Sequence, residues 1–279
     1  AGSRPGEMPY EGPLKPGDAV GLNFVSGDLQ LGATGTVTHV EDGRVYAFGH
    51  PMYNLGPTRF PMTRAYVYTV LPSLFSSSKL SGTGEVIGTF LQDRATAIAG
   101  QLGSGPSMIP MSVTLRSGRT PDRTVRFEVA QDQIFTPLMT YASLLSVVGA
   151  FERQFGAATY AVTGRAQLVN RPDITFDNLF SGDNAAVGAA AYVVGPITAM
   201  INNDYEPVDI RSVDITLQST EEPRTATIDR VWIDDPRPRP GRPLSLKIAL
   251  RTYRGDEQIK TIPIDIPSNV RGGVAVMVS

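Results

Sequence analysis

The sequence predicts a mainly β protein with a few helices: a small, closed or partly closed β-barrel, a helical insertion and a C-terminal β-sandwich. Three observations lead there. The 279 residues include 28 glycines and 22 prolines, a share of turn formers that favours many short strands over long helices. Apolar residues alternate with small or polar ones from Ala19 to Val129, and alternation returns after Glu206. Between these stretches the period becomes helical.

The run AVGLNFVSGDLQLGATGTVTHVEDGRVYAFGHP, starting at Ala19, alternates and turns at Ser26-Gly27-Asp28 and Glu41-Asp42-Gly43. Asp42-Gly43 supplies the positive φ of a tight antiparallel turn, so strands near 35–40 and 44–48 are predicted to pair, with His50 just past a strand end. Further strands are predicted over 64–70, 84–92, 95–101, 109–116 and 124–129, separated by Gly, Ser and Pro clusters.

Residues 137–155 place Leu138, Tyr141, Leu144, Leu145, Val148 and Phe151 at helical spacing, with Thr136 as cap and Pro137 in the first turn. Residues 158–168 read as a strand. A second helix is predicted over 183–203, capped by Ser181 or Asp183 and bent or broken at Gly195-Pro196. The segments VDIRSVDITLQ, TATIDRVWID, LSLKIALRTY, EQIKTIPIDIP and VAVMVS then read as strands of a small sandwich, with the proline run 236–240 as a stiff connection. The predicted organisation is a linker over 1–15, a barrel domain with its helices over 16–205, and an Ig-like β-sandwich over 206–279.

Composition excludes several classes of function. A hydrophobic fraction of 41% and a net charge of -2 exclude disorder, and the absence of a basic excess argues against nucleic acid as partner. With no cysteine there is no disulfide, thiolate nucleophile or Cys-ligated metal. No apolar run reaches the about 20 residues that span a bilayer, so no membrane span is expected. The opening AGSRPGEMPYEGPLKPGD lacks the apolar core of a signal peptide and reads as a linker or cut end.

General-base chemistry has two candidate histidines, His39 and His50. His50 is the better placed, because Gly49 allows close approach and Pro51 fixes the exit of the chain. The plain alternative is a turn residue bonded to a carbonyl. A metal shell would have to draw on Glu41, Asp42 or Asp93, since no HExxH pairing is present; no metal is expected. The stretch GATGTVT lacks the GK[ST] ending of a phosphate loop, and neither Asp28 nor Asp42 opens an EF-hand. No cofactor is expected.

The stretch GATGTVTHVEDGRVYAFGHP, followed by LSGTGEVIGTFLQDRATAIAGQLG, resembles the core of the SpoIVB peptidase family of serine endopeptidases over roughly 16–129. The likeness rests on the small-residue strand GTVT, the Gly49-His50 pair, and the turn with Asp93-Arg94 ahead of Ala-Ile-Ala-Gly. It implies a small barrel of trypsin-like type and a general base at His50. The family's G-M-S-G-S-P elbow, which presents the nucleophilic serine, does not occur in this chain; Ser104 and Ser181 stand in strings of different order. In longer bacterial proteins similar to this one the elbow lies ahead of the region resembled.

Two readings follow. In the first, the chain is the His-bearing part of a SpoIVB-like serine endopeptidase, inactive alone and completed by an upstream segment or separate chain carrying the serine elbow. Protein or peptide is the substrate, His50 the general base and Asp93 the carboxylate that orients it. In the second, it is a non-catalytic protein-binding or scaffold module. The expected setting is extracytoplasmic, in a bacterial periplasm or secreted.

Overall fold

A computed structural model describes residues 12–269 apart from 76, 119–120, 152–157, 223, 236, 253–254 and 256. The protein is mainly β, with two helices among the described residues.

The barrel is built from β1 (Ala19–Gly27), β2 (Leu31–Glu41), β3 (Arg44–Ala47), β4 (Gly56–Leu71), β5 (Ser78–Arg94) and β6 (Ala97–Leu102). Their order is β1-β2-β3-β6-β5-β4, and β4 pairs back onto β1 through Val20–Arg64, Gly21–Thr63 and Leu22–Met62, so the sheet closes on itself. Alternation explains the filling: Val20, Leu22, Val37, Val45, Phe60, Met62, Phe90 and Ile98 point inward and are fully buried. The predicted hairpin is present. Asp42 and Gly43 carry φ of +47° and +75°, the pair of positive values that matches the twist of β2 and β3.

β1 carries the same sheet out of the barrel. On the edge away from β2 it pairs with β4 at Val20–Leu22 and then, over Val25–Gly27, with β8 (Arg123–Ala130), which pairs with β7 (Met108–Ser117). The sheet continues through β11 (Ile210–Thr220), parallel to β7, then β9 (Ala158–Leu168) and β10 (Ile174–Gly182). Helices α1 (Phe135–Phe151) and α2 (Ala185–Ile201) pack on each other, α1 also on β8, β7 and β1, and α2 on β9 and β10.

Several elements differ from expectation. Helix α1 starts two residues earlier than predicted, because Asp132 rather than Thr136 serves its start: Asp132 Oδ1 accepts from the amides of Ile134 and Phe135, each at 2.8 Å. Its buried stripe is Phe135, Met139, Leu144, Val147 and Val148, while Leu138 is exposed. Thr136 and Thr140 can lie on that stripe because their hydroxyls donate to the carbonyls of Ala130 and Thr136, both at 2.7 Å. The predicted helical residues 152–155 lie outside the described ones.

Helix α2 runs unbroken through Gly195-Pro196, held by burial of Ala189, Ala190, Val193 and Ile197. Ser181 is not its cap. It is the last residue but one of β10, a strand that sequence reasoning did not separate, and its hydroxyl bonds Thr159 Oγ1 at 2.8 Å.

The first strand assigned to the C-terminal unit, β11, lies in the large sheet, because alternation identifies a strand without naming its partners. β12 (Ala226–Ile233), β13 (Pro243–Thr252) and β14 (Glu257–Asp265) form a separate three-stranded sheet, joined to β11 by a connection between Thr220 and Ala226. The proline run lies in the connection between β12 and β13. The predicted strand VAVMVS lies outside the described residues.

Candidate functional site

The site stands at the end of β3. Beyond Ala47 the chain turns through two consecutive left-handed residues, Phe48 at φ +74° and Gly49 at +69°, before reaching His50. Glycine adopts this conformation freely; for a bulky residue such as Phe48 it costs about 1–3 kcal/mol and persists only where surroundings enforce it. They do so here. The Phe48 amide donates to Thr36 O at 2.9 Å, and the ring lies over Gly35 with its edge against Phe90, centroids 6.2 Å apart. The same ring meets the His50 imidazole edge-on at 6.0 Å. A buried barrel residue is thereby linked through one strained aromatic to an exposed histidine.

His50 is exposed, and its Nδ1 lies 2.8 Å from Pro51 O. A carbonyl can only accept, so the bond requires the proton on Nδ1 and leaves the Nε2 lone pair free. That is the tautomer a general base needs. The position of the proton is inferred from this bond.

The loop after His50 is fastened from below by Asp93. This carboxylate is 2% exposed and sits where β5 faces both Gly56 of β4 and Ile98 of β6. Its Oδ1 accepts from the Met52 amide at 2.8 Å, and its Oδ2 from the amides of Tyr53 at 2.8 Å and Leu55 at 3.2 Å. Three backbone donors are what a buried carboxylate needs in place of water. The Tyr53 ring packs on Phe135 at the start of α1, centroids 5.0 Å apart, which fixes the loop from the side.

The structure thus gathers His50 and Asp93 around one loop without joining them by a hydrogen bond. Asp93 holds the loop whose first carbonyl, that of Pro51, holds the imidazole; direct orientation of His50 by Asp93 is not the observed geometry. His39 lies apart in β2, its Nε2 4.0 Å from Glu41 Oε2, with both side chains largely in water. Ser104 is exposed, its carbonyl accepting from Thr89 Oγ1 at 2.9 Å. The Ser181 hydroxyl, besides bonding Thr159, accepts from the Arg224 amide at 3.1 Å. Among the described residues no three His, Asp or Glu side chains are grouped as ligands of a metal ion.

Phe48 is the residue of this candidate site that sequence reasoning missed. Its only signal was an aromatic ahead of Gly-His, which carries no information about φ. Comparison with models of known protein families, with curated proteins and with solved structures returns no match.

Proposed function

We propose that this chain is the His-bearing part of a SpoIVB-like serine endopeptidase, with His50 as general base and the nucleophilic serine supplied by an upstream segment or a separate chain. The observation that carries the reading is the exposed imidazole at the barrel rim, bonded through Nδ1 to Pro51 O so that Nε2 is left as an acceptor facing solvent. A serine hydroxyl brought to Nε2 gives up its proton as its oxygen adds to the peptide carbonyl. The imidazolium then returns that proton to the departing amine, and water repeats the cycle on the acyl-enzyme. Asp93 acts through the loop: its three amide bonds fix Pro51, which fixes the ring.

One observation favours the second reading, a scaffold module: among the described residues no hydroxyl is hydrogen-bonded to His50. The test is labelling with a serine-directed phosphonate, on this chain alone and joined to the segment encoded upstream of it. Labelling of the joined protein, lost in His50→Ala with the fold intact, supports the peptidase. No labelling of any joined form, or labelling indifferent to His50→Ala, leaves the scaffold reading.

A further inference from the structure

The two longest strands, β4 with 16 residues and β5 with 17, extend beyond the barrel as a two-stranded arm. At its tip Leu74 and Phe75 are adjacent and wholly exposed, at 103% and 100%, with Leu71 and Leu80 more than half exposed behind them. Isolated exposed apolar residues are ordinary; a cluster ending in two fully exposed ones is not. We propose that this tip docks on a lipid bilayer surface, inserting Leu74 and Phe75 into the interface.

Three features favour lipid over a protein partner. Residues 65–78 carry no charged side chain, so the tip and the strand ends behind it can enter an apolar phase without desolvating a charge. The nearest charge in the sequence is Lys79, paired with Val70 one step below the strand ends Leu71 and Ser78; its ammonium donates one hydrogen bond to Thr36 Oγ1 and keeps further N–H donors for headgroup phosphates when the tip is inserted by about 5–10 Å. The tip pairs part of its own backbone: the Ser73 amide donates to Ser77 Oγ at 3.4 Å, the Phe75 amide to Ser73 Oγ at 3.2 Å, and Pro72 has no N–H. Such internal pairing matters where water is scarce and adds little to a hydrated surface.

The arm is braced for projection. Lys79 Nζ donates to Thr36 Oγ1 at 2.7 Å and the Ser81 and Thr34 hydroxyls are 2.5 Å apart, so β5 is fastened to β2 up to one residue pair short of the strand ends. Tyr66 and Tyr68, ring centroids 5.0 Å apart, stand further down the arm. A convex tip needs a partner that yields around it, which a bilayer does without a matching pocket.

The test is cosedimentation of the 279-residue chain with liposomes of phosphatidylcholine, with and without phosphatidylglycerol. Binding is expected, stronger with the anionic lipid, and the double substitution Leu74→Ser, Phe75→Ser is expected to weaken it at least about tenfold with circular dichroism and Tm unchanged. Tyr205→Ser, at an exposed site far along the chain, should leave binding as it was. Absence of binding by the unaltered chain, equal binding by the double variant, or an equal loss in Tyr205→Ser would overturn the proposal. So would self-association abolished by the double substitution in a protein that binds neither liposome, which would make a second copy the occupant. The outcome is independent of what His50 does.

Discussion

Gly35 of β2 lies directly beneath the ring of Phe48, so close that a Cβ at position 35 would stand 2.6 Å from the ring's Cγ and Cδ2. Those atoms are at the root of the ring and cannot swing aside without moving a backbone already at φ +74°. Gly35→Ala should therefore destabilise the protein by about 1–3 kcal/mol, the range for overpacking a fitted contact. It should also displace His50, since the imidazole rests on the same ring. Urea unfolding reads the first effect, and a change in the His50 NMR resonances reads the second. A variant of unaltered stability and spectrum would mean that the ring does not bear on Gly35.

Asp93 tests whether the loop is held as described. Asp93→Ala leaves the amides of Met52, Tyr53 and Leu55 without their acceptor, and a loss of about 2–4 kcal/mol is expected for removing a charged acceptor from partly buried donors. Asp93→Asn keeps one oxygen and should cost less, at the expense of the amide facing its new NH2 group. Hydrogen exchange should quicken at residues 52, 53 and 55 ahead of the barrel strands. Uniform loss of protection across the barrel would show instead that Asp93 supports the whole fold and not this loop.

The barrel was legible because closure depends on strands with one buried face, and alternation reports that face residue by residue. Asp42-Gly43 and Val37 to Val45 belong to this readable part. What alternation cannot report is partnership: β11 reads as a strand in any sheet, and only Val213, Ile215 and Leu217 meeting the layers around β7 and β9 decide which. The buried threonines of α1 escaped for a related reason, since a hydroxyl looks polar until its carbonyl partner is known. At the site, His50 was visible as a residue type beside Gly and Pro. The φ of Phe48 and the three amides on Asp93 were not, because both arise from contacts between segments more than ten residues apart.

Helix α2 holds two residues that intrinsic preference disfavours, Gly195 and Pro196, in a segment that is nonetheless helical from end to end. Tertiary burial offsets their cost. A Cβ added at Gly195 meets nothing within 4 Å beyond its chain neighbours, but Pro196 Cδ crowds a Cβ on the helical residue before it. Gly195→Ala should therefore raise the Tm, by less than the about 0.5–1 kcal/mol of an ordinary helical glycine-to-alanine exchange implies. A lower Tm would mean that the helix departs from regular geometry at this point.

His50 offers the most direct check on the proposed chemistry. Free imidazole favours the proton on Nε2, whereas the bond to Pro51 O calls for Nδ1–H. Nitrogen-15 NMR of the neutral ring should thus show the less common tautomer, and Asp93→Asn, if its loop stays folded, should leave that signal in place because the carboxylate does not bond the ring. His50→Ala should change stability by no more than about 0.5 kcal/mol, the ring being exposed, while removing phosphonate labelling of the serine-bearing form. An Nε2–H signal in the folded protein would leave the solvent-facing nitrogen as a donor, unable to take a proton from an incoming hydroxyl, and the general-base role would fall with it.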